Sequence, residues 1–263
     1  MSRILYISPL VVHGRTFLEV DPAELRSGNT LTSIGFTRGP RHLEYHYYET
    51  LVLPDLVRTI AAAEARGFDA AVIGCFYDFG LHEGREIAEN MVVTAPCESS
   101  LLLAASLGHR FSIIVGRRKW IPQMHDNVVR YGLESRLASF QTLDLGVPAY
   151  HADEAETERR FVAAGRRAIE QDGAEVIVLG CTASAGFYRK LQAQLCVPVI
   201  DSALAAVKQA EQLIELRDRF GWSPSKIGGF ESPPKPEMAG WNLADGYEPA
   251  DVTSLWDVVG GAL

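Results

Sequence analysis

The chain has no apolar run near the roughly 20 residues needed to span a bilayer, so no membrane span is expected. Its first residues, Met1-Ser2-Arg3-Ile4-Leu5-Tyr6-Ile7, run directly into a strand without the apolar stretch and cleavage site of a signal peptide. Cysteine is scarce: four residues, at 75, 97, 181 and 196, with no CxxC pair and no Cys/His spacing that suits structural zinc. In a chain of 263 residues they are not a disulfide scaffold, and a reducing, cytoplasmic setting is expected. The seven histidines include no HExxH; His82-Glu83 lacks the second His, which removes the usual metal-hydrolase signature. Neither GxxxxGK[ST] nor GxGxxG occurs, so no nucleotide or dinucleotide cofactor is implied. Basic charge is in deficit, 25 Lys and Arg against 33 Asp and Glu for a net charge of −8, which argues against nucleic acid as a partner. Ser99 and Ser100 stand outside any nucleophile elbow, and Ser99 is read as a helix cap.

What is present is a repeat. Gly67-Phe68-Asp69-Ala70-Ala71-Val72-Ile73-Gly74-Cys75 returns as Gly173-Ala174-Glu175-Val176-Ile177-Val178-Leu179-Gly180-Cys181, with the cysteine 8 residues after the opening glycine in both copies. A short apolar run bounded by glycines reads as a strand buried on both faces, as in parallel sheets. The carboxyl ends of such strands are where α/β folds place their sites. The duplication continues past the cysteines, with Pro96-Cys97-Glu98-Ser99 and Pro198-Val199-Ile200-Asp201-Ser202 each before an apolar helix, which pairs Glu98 with Asp201.

Around these copies strands alternate with helices, which predicts parallel sheets. Strands are expected at Ile4 to Ser8 (ended by Pro9), Leu31 to Phe36, Asn90 to Ala95, Arg110 to Val115 and Val197 to Ile200. Helices are expected at Tyr47 to Arg66, near Gly84 to Ala88, Ser99 to Gly108, Gln123 to Tyr131, Glu154 to Asp172, Ser184 to Cys196 and Ser202 to Leu216. A loop holds Leu143 to Val147, and the proline- and glycine-rich stretch after Gly221 reads as a tail. The repeat divides the chain into one α/β domain of residues 1–96 plus 203–263 and another of 97–202.

A thiol titrates near 8.5, close enough to neutrality to take or give a proton, and a helix N-terminus favours its anion. A lone buried cysteine is usually a small hydrophobe; two at repeat-equivalent strand ends shift the weight towards function. Two thiols on opposite faces of one carbon permit racemisation without a cofactor: one removes the α-proton and the other returns a proton. Cys97 and Cys196 lack the equivalence and are read as packing residues.

The chain resembles the aspartate/glutamate/hydantoin racemase superfamily, and within it the hydantoin and allantoin racemase branch. The resemblance rests on Arg38-Gly39-Pro40 with Glu44, His46 and Tyr47, on Cys75-Phe76-Tyr77-Asp78-Phe79-Gly80-Leu81, and on Leu107-Gly108 through Arg110-Phe111-Ser112-Ile113. Leu179-Gly180-Cys181 and Val197-Pro198-Val199-Ile200-Asp201 extend it into the second half. It implies two pseudo-twofold-related α/β domains with mainly parallel sheets, a site in the cleft between them, no cofactor, a small-molecule substrate and a homo-oligomer. Both cysteines are retained, which separates the chain from relatives of the arylmalonate decarboxylase type.

The departures fall at strand ends. Ser8-Pro9-Leu10 stands for the family's Asn-Pro-Asn, Gly116-Arg117 for its Thr-Thr, and Phe79 for the proline of the first cysteine loop. The expected reaction is cofactor-independent racemisation of a hydantoin, allantoin or related amino-acid derivative, with Cys75 and Cys181 as the acid/base pair. Ser8, Tyr47, Phe76, Phe79, Gly116, Arg117 and Thr182 are the expected substrate contacts, Thr182 joining backbone N–H groups at the enolate oxygen. Arg117-Arg118-Lys119 also reads as a solvated loop, and Phe76, Tyr77 and Phe79 also read as core. Competing readings are a cis–trans isomerase of the maleate type or a decarboxylase using one nucleophilic cysteine, and a non-catalytic binding protein.

Overall fold

A computed structural model describes residues 1–11, 18 and 20–239. The first half runs β1 (Arg3–Val11), β2 (Thr30–Phe36), α1 (His46–Ala65), β3 (Ala70–Ile73), α2 (Leu81–Ile87), β4 (Val92–Thr94) and α3 (Pro96–Leu107). The second runs β5 (Phe111–Val115), α4 (Ile121–Arg130), β6 (Leu137–Thr142), α5 (Glu154–Glu170), β7 (Val176–Leu179), α6 (Tyr188–Leu195) and β8 (Val199–Asp201). Helices α7 (Ser202–Phe220) and α8 (Lys235–Ala239) follow. The strands form two four-stranded sheets, β2-β1-β3-β4 and β6-β5-β7-β8, with every pair parallel. The same order in both is the duplication made physical. Strands β3, β5 and β7 are buried along their whole length, which is why β3 and β7 read as unbroken apolar runs and β5 is apolar but for Ser112.

The repeat reaches further back than the glycine that opens it. Gly67 and Gly173 both lie at φ +73, the left-handed turn that ends a helix and turns the chain into β3 or β7. Each turn is clasped by an arginine beside the preceding central strand. The Arg3 guanidinium donates to the Arg66 carbonyl at 2.9 Å, and that of Arg110 to the Asp172 carbonyl at 3.1 Å.

By contacts the chain falls into two units, one of residues 1–73, 79–94 and 207–263 and one of 74–78 and 95–206. The sequence-based boundary kept residues 74–78 in the first part; the hydrogen bonds that carry them into the second are described below.

Several elements differ from expectation. Strand β1 does not stop at Pro9; it continues to Val11, and the ladder to β2 shifts register between Ser8 and Val11, where the proline has no N–H to offer. Strand β6 is not among the expected strands. It lies at the sheet edge and is nowhere fully buried, so Leu137-Ala138-Ser139-Phe140-Gln141-Thr142 carries no apolar run. Ser99 is not a cap: it lies inside the first turns of α3, and its hydroxyl donates back to the Ala95 carbonyl at 2.6 Å. The helix expected from Ser184 begins only at Tyr188, and Cys196 is exposed, ending α6 in a left-handed conformation. Glu98 and Asp201 are not equivalent either, one lying in the first turn of α3 and the other ending β8.

The stretch after Gly221 is partly packed. The Lys226 ammonium donates to the Arg85 carbonyl, the Ser232 hydroxyl to the Glu86 carbonyl at 2.7 Å, and Phe230 lies under the Arg85 guanidinium. Residues 240–263 of that stretch, and residues 12–17 and 19, lie outside the described residues. No described helix is long and apolar enough to cross a membrane.

Candidate active site

Cys75 and Cys181 follow β3 and β7 by two residues, each after a glycine. Both segments then make the same tight turn. The Asp78 N–H donates to the Cys75 carbonyl at 3.1 Å, and the Ser184 N–H to the Cys181 carbonyl at 3.0 Å. Both cysteines are half-buried, whereas Cys97 is buried, and no cysteine forms a disulfide. Both belong to the second unit, and a hydrogen bond joins their loops: the Thr182 hydroxyl donates to the Gly74 carbonyl at 3.1 Å. The residue after one cysteine thus holds the residue before the other. This bond directs the Thr182 hydroxyl proton to the backbone and away from any ligand oxygen.

The Cys75 loop is fastened by a buried carboxylate. Asp78, 3% exposed, sits in the left-handed region at φ 53. Its Oδ1 accepts from the Cys97 N–H at 2.8 Å, and its Oδ2 from the Glu98 N–H at 2.7 Å and the Tyr131 hydroxyl at 2.7 Å. Asp78 therefore supplies the N-terminal cap that α3 lacks from its own Ala95. Next to it, the Asn127 side chain donates to the Tyr77 carbonyl at 2.7 Å. These bonds draw residues 74–78 into the second unit.

Burial pushes the Asp78 carboxyl up to about 7; the hydrogen bonds from Glu98, Cys97 and Tyr131 oppose that rise, and the charge of Glu98 adds to it. Burial, then the carboxylates of Asp78 and Glu98, push the Cys97 thiol well above its ordinary value, which makes it inert. Burial and Asp78 raise the Tyr131 phenol likewise, so it keeps its hydroxyl proton and can donate to the carboxylate or accept from the protonated carboxyl. Between about pH 4 and pH 7 the folded chain holds a proton on Asp78 that the unfolded chain has released. Stability from this group therefore falls as pH rises across that window, by on the order of 4 kcal/mol, and is level above it. Relative to Asp78→Asn, the wild-type chain is expected to be more stable at pH 5 than at pH 8. A urea-midpoint difference independent of pH would contradict this.

The other expected contacts divide between the units. Phe76 (2% exposed), Gly116 (buried) and Arg117 (half-buried) share the second with the cysteines and Thr182. Ser8 (1% exposed, inside β1 where the ladder to β2 begins to shift), Tyr47 (68% exposed, in the first turn of α1) and Phe79 (half-buried) belong to the first. Arg118 and Lys119 are exposed, as a solvated loop would have them. Sequence reasoning missed Asn127 and Tyr131. A signal existed for Asn127: Met124, Asn127 and Val128 form the buried face of α4, and an amide at an apolar position of such a face needs a partner. Among the described residues, no group of three or more His, Cys, Asp or Glu is placed to hold a metal ion.

Comparison with known proteins places the chain among relatives in sequence and in fold. The hydantoin racemase of Pseudomonas sp. (strain NS671) is 35% identical over 82% of this chain and 84% of its own. That of Paenarthrobacter aurescens is 34% identical over 88% of this chain and 97% of its own. The solved allantoin racemase from Klebsiella pneumoniae superposes with a TM-score of 0.82 at 29% identity, covering 89% of this chain and 95% of its own. A sequence model of the family described as Asp/Glu/Hydantoin racemase matches residues 19–210. With two equivalent parallel sheets, a cysteine beyond the third strand of each half and these relatives, the chain belongs to the Asp/Glu/hydantoin racemase family and is an isomerase of the racemase kind.

Proposed function

We propose that this enzyme racemises a 5-substituted hydantoin, allantoin or a closely related amino-acid derivative, with Cys75 and Cys181 as its two acid/base groups. The thiolate of one cysteine takes the proton from the ring carbon beside the carbonyl, and the C–H electron pair passes into an enolate. The thiol of the other cysteine gives its proton to the opposite face, re-forming the C–H bond with inverted configuration. Each turnover leaves the two sulfurs with exchanged protonation, and exchange with water resets them. The carrying observation is that two half-buried thiols follow equivalent strands on loops joined by the Thr182–Gly74 bond. The names of the relatives, hydantoin racemase and allantoin racemase, supply the substrate class.

Proton NMR in D₂O on single enantiomers of several 5-substituted hydantoins and of allantoin tests this reading. The α-proton signal is expected to disappear as optical rotation decays. Exchange confined to acyclic amino acids or unsaturated diacids would move the substrate elsewhere, and a covalent adduct on a single cysteine would replace the two-base chemistry by nucleophilic catalysis.

A further inference from the structure

We propose that Asp78, assisted by Tyr131 and Asn127, is a positioning residue that sets where the Cys75 thiol stands. The proposal rests on Cys75 being one of the two acid/base groups. Four residues, Cys75 to Asp78, carry five hydrogen bonds: three donors on the Asp78 carboxylate, the Asn127 amide on the Tyr77 carbonyl, and the Asp78 N–H on the Cys75 carbonyl. The partners lie on two helical segments, the start of α3 and the end of α4, so the loop is gripped from separate elements. An ordinary turn needs only the last of these bonds. Burying a carboxyl group on a left-handed residue costs free energy, and its three hydrogen bonds offset that cost by fixing the loop against α3 and the end of α4.

The second half joins its cysteine loop to α7, the helix after the next strand, by a different route. Asp201, at the end of β8, accepts from the Ala203 and Leu204 N–H groups of α7 at 3.0 and 3.2 Å and from the Gly186 N–H at 2.9 Å. There the acid sits at the helix and reaches to the loop; in the first half it sits on the loop and reaches to the helix. Both halves tie the segment after the cysteine, through one carboxylate, to the helix that follows the next strand (α3 after β4, α7 after β8), although the two acids are not equivalent in sequence. A link made twice from unrelated positions points to a geometric requirement at the cysteine.

Asp78→Asn tests the idea in the full-length chain. Asparagine tolerates the left-handed backbone, but at pH 8, where Asp78 is ionised, its NH₂ faces the Cys97 or Glu98 N–H where the carboxylate offers an acceptor, donor against donor. Labelling with iodoacetamide, read cysteine by cysteine by peptide mass spectrometry, needs no substrate. The Cys75 rate is expected to change about fivefold or more while that of Cys181 stays within about twofold, since labelling follows thiolate fraction and access. On separate enantiomers in D₂O, inversion is expected to fall about 100-fold, as for a misplaced reacting group. The equilibrium constant is unity, so inversion falls equally in both directions, whereas α-proton exchange persists for the one enantiomer that Cys181 deprotonates. A purely structural defect would not split exchange from inversion. Equal change at both cysteines, or at neither, overturns the proposal. If Asp78→Asn does not fold, Tyr131→Phe carries the same comparison, with an expected loss of about tenfold for one charge-assisted hydrogen bond. A wild-type chain that exchanges no hydantoin proton would remove the proposed substrate class, while the labelling comparison would still decide the role of Asp78.

Discussion

Replacing Cys75 with Ser is expected to stop inversion of both enantiomers while leaving the fold intact, and Cys181→Ser to do the same. A hydroxyl keeps the shape of the thiol but titrates far above neutrality, so it can neither hold a negative charge before the proton is taken nor serve as a matched acid. The loss should be at least about 10³-fold, within the range assigned to a positioned acid or base. The stereochemical signature separates the two variants. With Cys75→Ser, the enantiomer whose proton faces Cys181 still exchanges with D₂O and regains deuterium on the same face; with Cys181→Ser, the opposite enantiomer does so. Exchange without inversion, reversed between the two variants, is the expected result by NMR and polarimetry. Near-normal turnover in either variant would end the two-base mechanism. Because both thiols are half-buried, thermal midpoints should move by no more than about 3 °C, a change under about 1 kcal/mol.

Gly116→Ala is expected to be the most damaging small substitution near the site. A Cβ built there would lie 2.4 Å from the Leu145 carbonyl oxygen and 2.4 Å from the far edge of the Trp120 indole. Neither neighbour can withdraw cheaply. The Leu145 N–H donates to the Gly116 carbonyl at 2.9 Å, and the Leu143 N–H to the Val115 carbonyl at 3.0 Å, so the segment is stitched to the end of β5. Trp120 is 2% exposed and has no room to swing out. Overpacking of a rigid site costs about 1–3 kcal/mol and occasionally more, and contact with backbone puts this case near the top of that range. The thermal midpoint should drop by roughly 5–10 °C. Combining the change with Trp120→Phe should recover only part of the loss, since the Leu145 carbonyl remains. A variant as stable as wild type would show that the Leu143 to Val147 segment yields. The same crowding gives a packing reason for glycine where the resembling family carries the first threonine of its pair.

Much of this molecule was legible in one dimension because burial on both faces leaves a mark. The strands β3 and β7 are apolar throughout, their helices end in left-handed glycines, and the repeat in spacing is the repeat in topology. The parallel α/β class, the halving of the chain and the equivalence of Cys75 and Cys181 all follow from those local signals. Where an element is only half buried the signal fades: β6, an edge strand, has no apolar run to announce it. Long-range polar bonds leave no periodic trace at all. That the Cys75 loop belongs with the second unit depends on Asp78 reaching Cys97, Glu98 and Tyr131 and on Asn127 reaching Tyr77, pairs separated by 19 to 53 residues. That Ser99 does not cap its helix follows from the same carboxylate having taken that place. The residue types and strand ends of the candidate site were determined by the sequence, because apolar periodicity and glycine punctuation are local. The partners that hold those residues were decided by tertiary structure, because a hydrogen bond depends on distance in space and not on position along the chain.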